Sequence, residues 1–134
     1  MKSKTFMVII AALMVILTAC KNDEMSNAEL IVGKWREVTT VSSGLTNGGA
    51  FTYSYTGTGS DYASYGSDGT VAISEDGVTK TETYTLSGTQ LTNTLSGNTT
   101  AWTIKTLSGN SLIIYSHVFT DANNYTETTS TFEK

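Results

Sequence analysis

The chain has 134 residues and a formal charge of −4 at pH 7, from 8 basic and 12 acidic side chains. A nucleic-acid binder needs a basic face, and a protein held electrostatically on anionic lipid needs a basic patch; this charge balance supplies neither. Cys20 is the only cysteine, which excludes an intrachain disulfide.

Lys2 and Lys4 open the chain, residues 6–17 form an almost unbroken apolar run, and Leu17-Thr18-Ala19-Cys20 closes it. A run of about a dozen residues suits a secretory signal, which needs ~7–15, and falls short of the ~20 that a spanning helix needs. The closing tetrapeptide resembles the lipobox of bacterial lipoproteins. That resemblance implies cleavage before Cys20, a diacylglyceryl group on its thiol and an acyl chain such as palmitate on its new amine. Stable anchoring takes at least two chains, each buried methylene adding ~0.8 kcal/mol. A plain secretory signal that happens to end near a cysteine is the competing reading. Lys21-Asn22-Asp23-Glu24 resembles the surface-export signal of lipoproteins in Bacteroidetes-type bacteria, although a solvated tether has the same composition.

The expected organisation is a signal peptide over 1–19, a lipidated tether over 20–29 and one domain over 30–134. Removing 1–19 takes Lys2 and Lys4 with it, leaving 115 residues and a charge of −6. Thr, Ser, Gly and Tyr dominate what remains and proline is absent. Thr and Tyr favour strands, and Gly beside Asn or Asp favours turns, so the domain reads as all-β with a small core.

Residues 28–32 suit one helical turn. A first strand follows from Gly33-Lys34-Trp35 to about Ser42, with Trp35, Glu37 and Thr39 on one face by the period of two. Residues 43–50 read as a loop. Phe51, Tyr53 and Tyr55 alternate with Thr52, Ser54 and Thr56 in a half-buried strand, which Gly57-Thr58-Gly59-Ser60 breaks. Strands over 61–66 and around Val71 and Ile73 flank the turn Ser67-Asp68-Gly69, and Glu75-Asp76-Gly77 turns again. Residues 79–86 alternate, with Tyr84 and Leu86 on one face. Three copies of one turn, at Leu86-Ser87-Gly88, Leu95-Ser96-Gly97 and Leu107-Ser108-Gly109, separate strands over 90–95, 99–107 and 111–120; residues 121–124 turn into a last strand over 125–132.

Eight or nine strands joined by short turns must be antiparallel neighbours. A small up-and-down barrel of about eight strands removes the exposed edges and is the expected architecture, with a two-sheet sandwich second. The Gly33-Lys34-Trp35 start, Ser67-Asp68-Gly69-Thr70, Tyr84-Thr85-Leu86-Ser87-Gly88 to Leu91, and Trp102-Thr103-Ile104-Lys105-Thr106-Leu107 to Leu112 resemble the lipocalin-like lipoproteins of Bacteroidetes-type bacteria over most of 30–133. The resemblance implies a small barrel with a pocket for an apolar ligand. Lipocalins carry an Arg on the last strand that stacks on the first-strand Trp; residues 125–132 contain none.

No catalytic constellation is visible. His117, the only histidine, shares a strand face with Ile113, Tyr115 and Phe119 and has no evident nucleophile or orienting partner. Asp61, Asp68, Glu75 and Asp76 read as turn chemistry ahead of a calcium site. The expectation is a protein without enzymatic activity, cofactor or metal, lipid-anchored through Cys20 at the outer membrane, on either its periplasmic or its surface face. The barrel mouth is expected to bind a small apolar or amphipathic ligand. Candidate pocket residues are Trp35, Tyr53, Tyr55, Val71, Ile73, Tyr84, Trp102 and Ile104, with Trp35 also suited to plugging one barrel end and Trp102 and Ile104 to the core. The alternative is a filled barrel that meets a protein or glycan through a Tyr-rich surface comprising Tyr53, Tyr55, Tyr62 and Tyr65.

Overall fold

Alternating Thr, Tyr and aliphatic residues between Gly-containing turns form nine strands in the computed structural model, which describes residues 24–134. The apolar run, its cleavage region and Cys20 lie outside the described residues. A single helical turn, α1 (Asn27–Leu30), comes first. Ser26 caps it, and Glu29 reaches back to the Ser26 N–H to complete a capping box.

The strands are β1 (Gly33–Thr46), β2 (Gly49–Thr56), β3 (Tyr62–Tyr65), β4 (Thr70–Glu75), β5 (Val78–Ser87), β6 (Gln90–Leu95), β7 (Asn98–Leu107), β8 (Ser111–Asp121) and β9 (Asn124–Glu133). They form one antiparallel sheet in the order β2-β1-β3-β4-β5-β6-β7-β8-β9, and β9 returns to pair with β1 from Arg36↔Glu133 to Leu45↔Tyr125. On the other side of β1, β3 covers residues 33–36 and β2 covers 39–46, so together they act as one interrupted stave. Nine strands thus make a closed barrel of eight staves, as the strand and turn pattern leads one to expect, and not a sandwich. Among the described residues, the helix, the sheet and the core all lie within residues 27–134.

One end is packed solid. Trp35 is fully buried, with Ile31, Tyr65, Val71, Leu91, Ile104, Leu112 and Ile114 in the same cluster. The Trp35 indole Nε1–H donates to the Ile31 carbonyl at 2.7 Å, which satisfies its one donor and ties α1 to the floor. Asn27 Nδ2 donates to Gly88 O at 3.0 Å and fastens the helix to the β5–β6 turn. The cation over Trp35 comes from Lys134, just beyond β9. Its Nζ lies 4.3 Å from the ring centroid and also donates to the Leu30 and Val32 carbonyls.

Three expectations are corrected. Residues 43–50 are not a loop: β1 continues to Thr46, a two-residue turn at Asn47-Gly48 follows, and β2 begins at Gly49. Asn47 and Gly48 both take positive φ, which suits the twist of a tight hairpin. Gly44 is needed inside this hairpin because a Cβ there would collide with the Tyr125 carbonyl of β9. Thr39 is not on the face of Trp35 and Glu37. A bulge at Val38 shifts the register, so that Thr40 takes that position. The three Leu-Ser-Gly units are not copies of one turn. Positive φ falls on Gly88 in the first and on Ser96 and Gly97 in the second, whereas the third is a longer loop at 108–110 in which Gly109 has no positive φ.

Trp35→Ala is expected to lower the unfolding free energy by about 3–5 kcal/mol, because the large cavity it leaves is ringed by side chains that the closed sheet holds in place. Urea denaturation followed by Tyr and Trp102 fluorescence checks this; a loss below about 1 kcal/mol would mean that Trp35 is not the floor of the core.

Candidate functional site: a half-open cavity in the barrel

Above the packed floor the inward-facing residues become smaller and more polar, and the interior opens into a cavity of about 340 Å³. β1 contributes Glu37 and Thr40, β9 contributes Thr128, Ser130 and Phe132, and β8 contributes Ile114. Asn93 and Trp102 face in from β6 and β7, Ile73 from β4, and Tyr53 and Tyr55 from β2.

The eight residues expected at the pocket divide between two levels. Tyr53, Tyr55, Ile73 and Trp102 line the cavity together. Trp35, Val71 and Ile104 are buried beneath it in the core, and Tyr84 packs against that core with its hydroxyl donating to Gly66 O at 2.7 Å. The polar lining residues Glu37, Asn93 and Ser130, and the apolar Phe132, escape sequence reasoning. Glu37 stands on the face of Trp35, and that shared face was the one available signal for it. The four tyrosines near the start all line this cavity, each held differently. Tyr53 is 58% exposed at the mouth, Tyr55 is tied to Asp61, Tyr62 lies under Lys34 Nζ at 3.9 Å, and Tyr65 is buried edge-on against Tyr84.

Hydroxyl groups bridge the β1–β9 side of the wall. Thr40 Oγ1 lies 2.6 Å from Ser130 Oγ, and Ser42 Oγ lies 2.9 Å from Thr128 Oγ1. Thr40 also donates to Glu37 Oε1 at 2.5 Å. Glu37 is only 8% exposed, and burial raises its carboxyl above the ordinary glutamate value; the Thr40 hydrogen bond opposes the rise, while Glu75 and Asp61 add to it. Burial pushes the Tyr65 phenol up to about 12, against the opposing hydrogen bond of the Asn93 amide.

One side of the wall is not laced by backbone. β2 pairs with β1 alone, and β4 pairs with β3 and β5, so β2 and β4 face each other without a ladder. Asp61 spans that seam. It is fully buried, its Oδ2 accepts from the Tyr55 hydroxyl at 2.7 Å and from the Thr58 N–H and hydroxyl at 2.6 Å each, and its Oδ1 accepts from the Asp76 N–H at 3.1 Å. The bonds from Thr58, then Tyr55, hold its carboxyl well below the usual aspartate value. In return the Asp61 carboxylate pushes the Tyr55 phenol up to about 12. The same loop docks on the β1 bulge: Gly57 N–H donates to Val38 O at 3.0 Å and Glu37 N–H to Asp61 O at 2.9 Å. A Cβ at Gly57 would strike the Glu37 carbonyl, so only glycine permits this approach.

Glu75 and Asp76 line the cavity, whereas Asp68 behaves as a turn residue. Asp68 Oδ1 accepts from the Thr70 N–H and hydroxyl at 3.0 and 2.7 Å. Among the described residues, no group of three or more His, Cys, Asp or Glu side chains is placed to hold a metal ion. His117 lies on the outer barrel face between the rings of Phe119 and Tyr125, away from the cavity.

No family model matches the sequence, and no curated protein matches it. Among solved structures the chain is similar to the bovine lipocalin allergen Bos d 2, at 17% identity over 81% of this chain and 75% of that one, with a TM-score of 0.49. It is also similar to bovine odorant-binding protein in complex with undecanal, at 20% identity over 83% of this chain and 74% of that one, with a TM-score of 0.46. A second complex of that bovine protein, with its natural ligand, gives 18% identity over 85% and 77% and a TM-score of 0.48.

Asp61→Asn replaces a carboxylate facing four donors with a group that must itself donate, so it should unhook β2 and the loop after it. Because the folded carboxyl lies below its unfolded value of ~3.9, its stabilisation is present at neutral pH and fades as pH falls through the folded value. The stability difference between wild type and Asp61→Asn is therefore expected to be larger at pH 7 than at pH 2.5, and the amides of 49–56 to exchange faster in the variant. Urea titrations at the two pH values check the first point; a pH-independent gap would contradict it.

Proposed function

We propose that this chain is a lipid-anchored, non-enzymatic protein of the bacterial outer membrane whose barrel carries one small apolar or amphipathic molecule. The single observation that carries the ligand reading is the hollow interior. A cavity of about 340 Å³ lies within the ~300–1,000 Å³ of ligand pockets, and an eight-strand barrel is wide enough for one small ligand. Its wall combines apolar and aromatic surface from Trp102, Phe132 and Ile73 with a few convergent polar groups, which suits burial of a ligand body and orientation of its head. The alternative of a solid barrel needs the volume above Trp35 to be filled, and Thr40, Thr128 and Ser130 are too small to fill it.

The anchor rests on the N-terminal residues. The short apolar run, the small residues Thr18 and Ala19, and the lone Cys20 fit acylation by two or more chains, which is what stable attachment requires. In this reading the polar stretch after Cys20 holds the barrel off the bilayer, as in the lipocalin-like lipoproteins of the Bacteroidetes type. The position of His117 outside the cavity fits a binding role for the interior.

Two measurements test this. Residues 21–134, produced in a bacterial host and weighed under native conditions, are expected to show a discrete added mass that leaves on denaturation. Thr128→Trp, which places an indole in the cavity, should weaken that ligand at least about tenfold while leaving the far-UV circular dichroism unchanged. A bare protein mass that no added fatty acid, alcohol, amine or sterol changes would sink the carrier reading. For the anchor, full-length protein expressed with labelled palmitate is expected to incorporate label, and Cys20→Ser to incorporate none; equal labelling of the two would place the lipid elsewhere.

A further inference from the structure

The polar groups that the cavity wall leaves unsatisfied are acceptors. Asn93 is 6% exposed and lines the cavity, yet its Oδ1 has no hydrogen-bond partner among the described residues. That oxygen has almost no accessible surface, so it adds negative polarity to the wall without opening onto the cavity. Glu37, 8% exposed on the same wall, takes one side-chain hydrogen bond, from Thr40, against the four that a carboxylate can accept. Buried acceptors without donors are costly, and a buried carboxylate more so. Glu75 and Asp76 also line the cavity, and among the described residues no Lys, Arg or His does, so every charged side chain on its lining is acidic.

A ligand that brings a carboxylate or phosphate to this wall meets repulsion and no donor. One that brings N–H groups and a positive charge meets the Glu37 carboxyl and several aromatic side chains. We infer that the barrel selects ligands whose polar end is an ammonium group, with Glu37 as its acceptor and Trp102 and Phe132 against its apolar body. The faces of Tyr53 and Tyr55 at the mouth favour passage of the cation. This inference deepens the carrier reading and rests on it: it names the head group that the same cavity takes.

The test compares three probes that share one chain and differ only in the head: octylamine, 1-octanol and octanoate. Each is titrated at pH 7 by calorimetry into residues 21–134, the segment that contains the whole closed barrel. Octylamine is expected to bind at least about tenfold tighter than octanoate, with octanol between them, as hydrogen bonds to a charged group are worth more than neutral ones. Glu37→Gln keeps the side-chain shape and removes the charge, so it should bring octylamine to within about threefold of octanol. Octanol or octanoate binding as tightly as octylamine to the wild type overturns the ammonium preference and leaves the carrier reading standing. A folded Glu37→Gln that keeps the full preference overturns the role of Glu37. Failure of all three probes to bind overturns the ammonium preference, and together with a bare native mass it overturns the carrier reading as well. The head-group series on the unaltered protein decides the preference whether or not the variant folds.

Discussion

The pairing of β1 with β9 is the constraint on which everything else depends. Until the first strand meets the last, β1 and β9 are open edges and the inner face of the sheet has no opposite wall. Closure asks β1 to serve two neighbours along most of its length, β9 on one side and β3 then β2 on the other. A straight fourteen-residue strand does not follow that path. The Val38 bulge and Gly44 supply the bend and the close approach it needs. The ion pair between Arg36 and Glu133 sits at the start of the β1–β9 ladder, on the surface, where such pairs add little. Closure therefore relies on backbone hydrogen bonds and on the apolar floor around Trp35.

The interior is graded along the barrel axis, and the gradient separates stability from binding. At the α1 end, Trp35, Val71, Leu91 and Leu112 are fully buried and carry the hydrophobic stabilisation. Towards the β1–β2 and β8–β9 turns the same staves present Thr40, Ser130, Thr128 and Asn93. These residues fill less space and leave polar groups facing inward, which costs stability and creates a chemically specific cavity. The raised carboxyl of Glu37 belongs to that cost: in the folded state its charge is disfavoured at neutral pH, and this penalty is relieved as pH falls through its folded value.

The seam between β2 and β4 gives the wall a second character. Elsewhere the staves are laced by regular ladders, but here the closure is a set of side-chain bonds converging on Asp61. Elements held by few backbone bonds are the ones that open at lowest free energy. β2, which carries the lining residues Tyr53 and Tyr55, has a backbone ladder on its β1 side alone, and the loop after it is attached to the β1 bulge through Gly57 and Glu37.

Much of the fold was legible because local chemistry enforces it. Asp76-Gly77 and Ser96-Gly97 take the positive φ of tight hairpin turns wherever they fold, the period of two in 79–86 and 111–116 sets an inner face, and short turns leave antiparallel neighbours as the only option. The apolar run and lone cysteine of the first twenty residues are likewise read from local pattern alone. What local pattern does not contain is how far apart residues meet. The continuation of β1 through 43–46 depends on its pairing with Tyr125 to Glu127, some eighty residues later, and the displacement of Thr39 by Thr40 depends on a bulge that only the closed barrel demands. Asp61 looks like another turn residue until Tyr55, Thr58 and Asp76 converge on it. Composition and periodicity determined that this chain would make a small antiparallel β-domain with one buried face. Which residues of that face fill the floor and which stand around a void was decided by the bend and closure of the barrel, because the space left over is a property of all eight staves together.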